Sequence, residues 1–300
     1  MVYENILDLI GHTPMVRINK MVGPEDAEIL AKLEKMNVGG SVKDRLGYYL
    51  IKEAEEKYPD IANRTIIEAT SGSTGIALAM IGALKGYKVL IVMPAGVSLE
   101  RRKIIRAYGA ELILSPAEEG TGGAIALKKD LVNKEPEKYA PVNQHESTVG
   151  IDAHYETTAE EIWKDTEGKL DMVVIAVGTA GTGIGISKKF KERNPKIKIV
   201  GVTPEIGTSI QGLRNPKEKN GSLIFDEKYF DEMVVISADE IPVTYEYSRR
   251  LAREEGILSG MSSGAAMYVA VRKAKELGKG KRIVTLLADS GERYLSTDLF

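Results

Sequence analysis

Four short segments hold residue types at spacings that do chemistry. Ala69-Thr70-Ser71-Gly72-Ser73-Thr74-Gly75 places four hydroxyls and two glycines just before an apolar helical stretch. A helix start offers unpaired N–H groups and a favourable dipole to an anion. An ordinary helix cap needs one hydroxyl, so four favour a binding turn. Gly178-Thr179-Ala180-Gly181-Thr182-Gly183 follows an apolar run. Its glycines let the backbone approach a phosphate, and its threonines add donors. A dinucleotide fingerprint, with Glu205 as the ribose acid, is the rival. The spacing is GxxGxG from Gly178 or GxGxG from Gly181, and neither matches GxGxxG. A compact phosphate cup fits better. Ser259-Gly260-Met261-Ser262-Ser263-Gly264 opens another helix and by itself is only a capped start. Lys43, in Gly39-Gly40-Ser41-Val42-Lys43-Asp44-Arg45, precedes a further helix. A lysine amine forms a Schiff base with a carbonyl, and neighbouring cations lower its pKa. Most lysines of the chain are ordinary surface charges.

The elements that must position these segments alternate. Apolar runs at Thr65–Ile67, Lys88–Met93, Glu111–Leu114, Met172–Val177, Lys198–Val202, Met233–Ile236 and Arg282–Leu287 read as strands buried on both faces. Helices are expected at Leu46–Tyr58, Gly75–Leu84, Glu100–Tyr108, Gly123–Asn133, Gly183–Arg193, Val243–Glu255 and Ser263–Leu277. This predicts an α/β architecture with parallel sheets. The irregular stretch Tyr139–Ala153 is the expected domain boundary. Leu213–Tyr229 is polar and reads as a surface loop, with Arg214 at its head and Lys217 and Lys219 behind it.

Composition narrows the function. The 300 residues suffice for two domains or one large one. Lys and Arg number 41 against 43 Asp and Glu, which argues against a nucleic-acid-coating protein. With no cysteine there are no disulfides or thiolate metal sites, and three histidines make a metal centre an unpromising reading. No apolar run reaches the roughly 20 residues of a membrane span, and the N-terminus lacks signal-peptide character. The expectation is a cytoplasmic globular protein without membrane, nucleic-acid or metal partners.

Taken in order, SVKDR at Ser41–Arg45, ATSGSTGIALAM at Ala69–Met80, GTAGT at Gly178–Thr182 and GMSSGAA at Gly260–Ala266 resemble the fold-type II pyridoxal-phosphate (PLP) enzymes, specifically cysteine synthases. The similarity covers essentially the whole chain. ERRKIIRAYGAELIL at Glu100–Leu114, AHYETTAEEIW at Ala153–Trp163 and the C-terminal ERYLSTDLF add to it, and the first two and the last look closest to the B-type, thiosulfate-accepting branch. The resemblance implies a two-domain, tryptophan synthase β-like fold with the cofactor between the domains. Residues 1–12 and 35–145 would form the N-terminal domain, with a mobile subdomain at about 85–132. Residues 13–34 and 146–300 would form the C-terminal, phosphate-binding domain. It further implies a homodimer. Lys43 would carry PLP, Gly178, Thr179, Ala180, Gly181 and Thr182 would cradle its phosphate, and Ser262 would face its ring nitrogen. Thr70, Ser71, Thr74 and Gln144 would take the substrate carboxylate.

The implied reaction is β-replacement through an aminoacrylate. It would form L-cysteine from O-acetyl-L-serine or O-phospho-L-serine and sulfide or thiosulfate. Arg214 resembles the loop arginine of relatives that accept O-phosphoserine or thiosulfate. A cystathionine synthase or a cysteine desulfhydrase is the nearest alternative, and an NAD-dependent oxidoreductase the distant one. The chain departs from the family pattern at four places. Ser73 stands where an Asn bonds the cofactor's phenolic oxygen, and His145 where a Phe is usual. Val38 replaces a Pro, and TTAEEIW replaces TTGPEIW.

Overall fold

The computed structural model describes residues 2–218 and 221–300, so Lys219 lies outside the described residues. Their strands form two sheets. The larger runs β1 (Met15–Ile18), β2 (Glu28–Leu33), β10 (Arg282–Leu287), β7 (Met172–Ala176), β8 (Lys198–Pro204) and β9 (Glu232–Ile236). The smaller runs β5 (Glu111–Ser115), β4 (Lys88–Pro94), β3 (Thr65–Ala69) and β6 (Tyr139–Pro141). The smaller sheet is parallel throughout. The larger is parallel except at its edge, where β1 pairs with β2 antiparallel.

The apolar runs of β3, β4, β7, β8 and β10 have partners on both faces, whereas β5 and β9, expected to be buried on both faces, are edge strands that leave Leu114 and Val235 exposed. In β4, Val89, Ile91 and Met93 pack with Leu50 and Ile51 of α1 (Lys43–Lys57), Ile76 of α2 (Ser73–Lys85) and Ile105 of α3 (Leu99–Ala107). The alternate residues Leu90 and Val92 meet Ala124 and Leu127 of α4 (Gly120–Lys134). In β7, Met172 and Val174 face α9 (Met261–Leu277) and Leu251 of α8 (Ile241–Glu255). Val173 and Ile175 face Ile184 and Phe190 of α7 (Gly181–Arg193). The period of two sends successive side chains to opposite layers, each closed by helices.

Three strands, β1, β2 and β6, escape the sequence reading. β2 carries Glu28 and Lys32, which break its apolar run. Lys32 is nevertheless fully buried, its Nζ 2.8 Å from Glu161. That ion pair is a tertiary event with no local trace. β6 has three residues and ends in Pro141. The stretch Tyr139–Ala153 is therefore not simply irregular: it opens with β6 and closes with α5 (Val149–Ala153). One π-helical turn, His154–Thr158, then leads into α6 (Ala159–Thr166). The polar segment after Leu213 is not a solvated loop at its near end. Leu213, Asn215 and Ser222 are buried. Ser222 Oγ donates to the Thr179 carbonyl at 2.7 Å, and the Leu223 N–H donates to the His145 carbonyl at 2.9 Å.

Candidate active site

Both sheets present the starts of helices to one cavity of about 660 Å³. Lys43 opens α1, with its backbone N–H on Ser41 Oγ at 3.2 Å. Burial lowers the pKa of Lys43, while Asp289 and Glu34 pull it back up. The neutral amine is thus more accessible than on a surface lysine. Two residues further on, Arg45 is clamped by Glu34 (Nη2–Oε1 2.8 Å) and Glu161 (Nη1–Oε1 2.6 Å). This buried cluster fixes the start of α1 against β2 and α6. The Asp44 carboxyl is pushed up to about 7 by burial, against the pull of the Gly39 N–H it accepts.

The turn 70–74 joins β3 to α2. Gly72 has φ 141°, a conformation open to glycine, and a Cβ there would lie 2.3 Å from Arg101 Cδ. Thr70 Oγ1 accepts the Gly72 N–H at 3.1 Å. Thr74 Oγ1 donates to Gln144 Oε1 at 2.7 Å, while Gln144 Nε2 faces inward to the Ala69 carbonyl and Glu68. Behind it, Lys128 Nζ lies 3.2 Å from Glu68 Oε2. Burial raises the Glu68 pKa to about 7, with Lys128 opposing the rise. Ser73 Oγ accepts from Arg293 Nη1 at 2.8 Å. Its own O–H remains to be donated elsewhere.

The third wall is the turn from β7 into α7. A Cβ on Gly178 would meet the Gly212 carbonyl at 3.0 Å, and one on Gly181 the Gly150 backbone at 3.1 Å. Ala180 holds φ 74°, unusual for a residue with a side chain. These positions tilt the first N–H groups of α7 into one cup. Thr182 Oγ1 pairs with His154 Nε2 at 3.0 Å, and His154 Nδ1 with Thr158 Oγ1 at 2.8 Å. Burial, followed by the charges of Lys43 and Arg45, keeps His154 well below its ordinary pKa, so it anchors the cup as a neutral ring. Ser262, 3% exposed, lines the cavity from the start of α9.

Lys43, Thr70, Ser71, Ser73, Thr74, Gln144, Gly178, Thr179, Ala180, Thr182, Arg214 and Ser262 all line this cavity, and Gly181 sits behind it. His145 lines it too. Arg214 Nε lies 3.5 Å from Glu218 Oε2. Sequence reasoning missed Arg101 and Asp289, which also line it. Arg101 lies inside a helix with no local motif of glycine and hydroxyl, whereas Asp289-Ser290-Gly291 just after β10 is such a signal and could have pointed to Asp289. Among the described residues no group of His, Cys, Asp or Glu is placed to hold a metal ion. No helix of the described residues is long and apolar enough to cross a membrane.

The donor set fits PLP. A phosphate suits the N–H cup at α7, an aldehyde suits the Lys43 amine, and a ring nitrogen suits the Ser262 hydroxyl. A family model described as pyridoxal-phosphate dependent enzyme matches residues 6–289, and the chain belongs to that family. Within it, the chain is 42% identical over 304 residues to the cysteine synthase of Aquifex aeolicus (strain VF5), covering 99% of this chain and 92% of the relative. Among solved structures it resembles the cysteine synthase of Entamoeba histolytica, with TM-score 0.87 and 38% identity over 100% of this chain and 91% of that one. It also resembles an O-ureido-L-serine synthase, with TM-score 0.92 and 36% identity over 100% and 96% of the two chains.

Proposed function

We propose that this protein is a cysteine synthase: it forms L-cysteine by β-replacement on O-acetyl-L-serine, with sulfide as the nucleophile. The observation that carries this reading is the convergence of Lys43, the 70–74 turn and the α7 cup on one cavity. PLP, when bound, supplies the electron sink that makes the α-proton of an amino acid removable. Lys43 would hold it covalently, Gly178–Thr182 its phosphate and Ser262 its ring nitrogen. Ser73 offers its hydroxyl hydrogen from the cavity wall, where Arg293 orients it. Thr70, Ser71, Thr74 and Gln144 line the place for the substrate carboxylate, with the α2 N-terminus beneath it. Because Thr74 and Gln144 are bonded to each other, they receive a carboxylate only by re-aiming the Thr74 hydroxyl.

Lys43 Nζ, once the incoming amino-acid amine has displaced it from its covalent bond, would be free to take the proton from the substrate α-carbon. The bond from β-carbon to oxygen breaks and acetate leaves. Hydrosulfide then forms the β-carbon–sulfur bond, and Lys43 returns its proton to the α-carbon. Burial, which lowers the Lys43 pKa, suits it to both directions of transfer.

The domain reading assigns 1–12 and 35–145 to the unit around the smaller sheet, and 13–34 and 146–300 to the unit around the larger. About 85–132 would move when substrate binds. A cytoplasmic homodimer completes the assignment.

The B-type reading, with O-phosphoserine or thiosulfate as a reactant, rests on Arg214. A guanidinium fork matches phosphate and sulfonate oxygens, and Arg214 stands at the cavity wall. Arg214→Ala is assayed with O-phosphoserine and O-acetylserine, each with sulfide, and with thiosulfate as donor. Selective loss of about 10- to 100-fold for the phospho substrate or for thiosulfate supports the B-type reading. Equal retention on all three leaves acetate as the leaving group and sulfide as the donor.

A further inference from the structure

Arg101 stands on α3, which packs against the smaller sheet, yet its side chain ends on the other half of the molecule. It is 2% exposed. Nη1 donates to Gln211 Oε1, and Nη2 lies 3.7 Å from Asp289 Oδ2. Its guanidinium sits 4.5 Å over the Tyr294 ring, and Tyr294 in turn donates its hydroxyl to Asp289 at 2.8 Å. Along the way its Cδ fills the space beside Gly72 that a side chain would need. Gly72 is the pivot of the 70–74 turn, so one side chain packs this turn and grips the opposite wall. Its neighbours strengthen the grip: Ser296 Oγ donates to Glu100 Oε2 at 2.6 Å.

The arrangement is specific to arginine chemistry. The stem must be long enough to cross from α3 past Gly72, and the head must stack on a ring while donating to Gln211 from one nitrogen and facing the Asp289 carboxylate with another. Arg101 Nε and Asp289 Oδ1 are buried without hydrogen-bond partners. Leaving such groups unpaired is costly, so the contact is held against an opposing pull.

We propose that Arg101 is a positioning residue: it holds the 70–74 turn in its carboxylate-binding shape and ties that turn to Gln211, Asp289 and Tyr294 across the cavity. This rests on the reading that the amino-acid carboxylate binds at 70–74. Arg101 acts on ligand retention through the turn, not on the proton transfers of Lys43.

The test uses the PLP-loaded enzyme and compares Arg101→Ala, Arg101→Lys and Ser71→Ala with the parent. KM and kcat for O-acetylserine are measured with sulfide, together with hydrogen exchange of the amides in 70–75. Arg101→Ala is expected to raise KM roughly tenfold, the order of one charge-assisted hydrogen bond, with kcat changed less than threefold. The 70–75 amides exchange faster, and Arg101→Lys, which keeps the stem and the charge, recovers part of both effects. Unchanged KM and unchanged exchange overturn the proposal. So does a loss spread equally over all amides, which marks a general core defect. If Arg101→Ala does not fold, Gln211→Ala removes one anchor and must shift KM and exchange in the same direction. An unchanged KM in Ser71→Ala sinks the carboxylate reading instead. In that case faster exchange confined to 70–75 in Arg101→Ala still upholds the mechanical tie.

Discussion

At the scale of single residues, His145 shows how burial changes a side chain's behaviour. It departs from the family pattern, lines the cavity and is surrounded by cations. Burial, then Arg214, Lys128 and Lys43, pushes its pKa from 6.5 down to about 4. The unfolded chain therefore binds this proton first as pH falls. The contribution is neutral above the unfolded value, and stability is lost between about 6.5 and about 4. His145→Gln should remove that loss. Denaturant unfolding of variant and parent should diverge in the variant's favour as pH drops through this window, by on the order of 2–3 kcal/mol. Parallel stability curves would mean that the imidazole titrates normally. The residue was legible in the sequence as a titratable ring near the site. Its neutrality was not, because the cations that enforce it come from α1, α4 and the segment after β8.

Elements are held by groups that local pattern does not reveal. Glu161 on α6 accepts from Arg45 of α1 and pairs with Lys32 of β2, so one carboxylate joins three elements. Burial works against its charge. The hydrogen bond and charge of Arg45, then Lys32, outweigh burial and hold its pKa down at about 2. The stabilisation is fully present above the ordinary value of 4.5 and is lost as pH falls toward about 2. Glu161→Gln leaves two buried cations short of charge. It should cost about 3–5 kcal/mol at neutral pH, read from the denaturant midpoint. A cost below about 1 kcal/mol would place the cluster among ordinary surface pairs. The apolar strands β3, β4, β7, β8 and β10 were legible because both their faces are buried. β2 was hidden by the charges that this cluster neutralises, and β1 and β6 by their brevity.

For the whole molecule, the turns that build the cavity were readable because glycine, hydroxyl and helix start lie together in the chain. Lys43 was readable only through its surrounding string, since amine chemistry alone does not separate it from other lysines. Arg101 and Asp289 were not readable as partners, because only the packing of the two halves brings them together at the cavity, and the Glu68–Lys128 pair behind Gln144 forms only when α4 packs on β3. The central claim is that Lys43 carries PLP at the point where both halves meet. Borohydride reduction of the PLP-loaded protein, followed by peptide mass mapping, tests it directly. The pyridoxyl group should be found on the peptide containing Lys43 and be absent from the reduced Lys43→Ala protein. Label on a different lysine, or undiminished label in Lys43→Ala, would contradict the account.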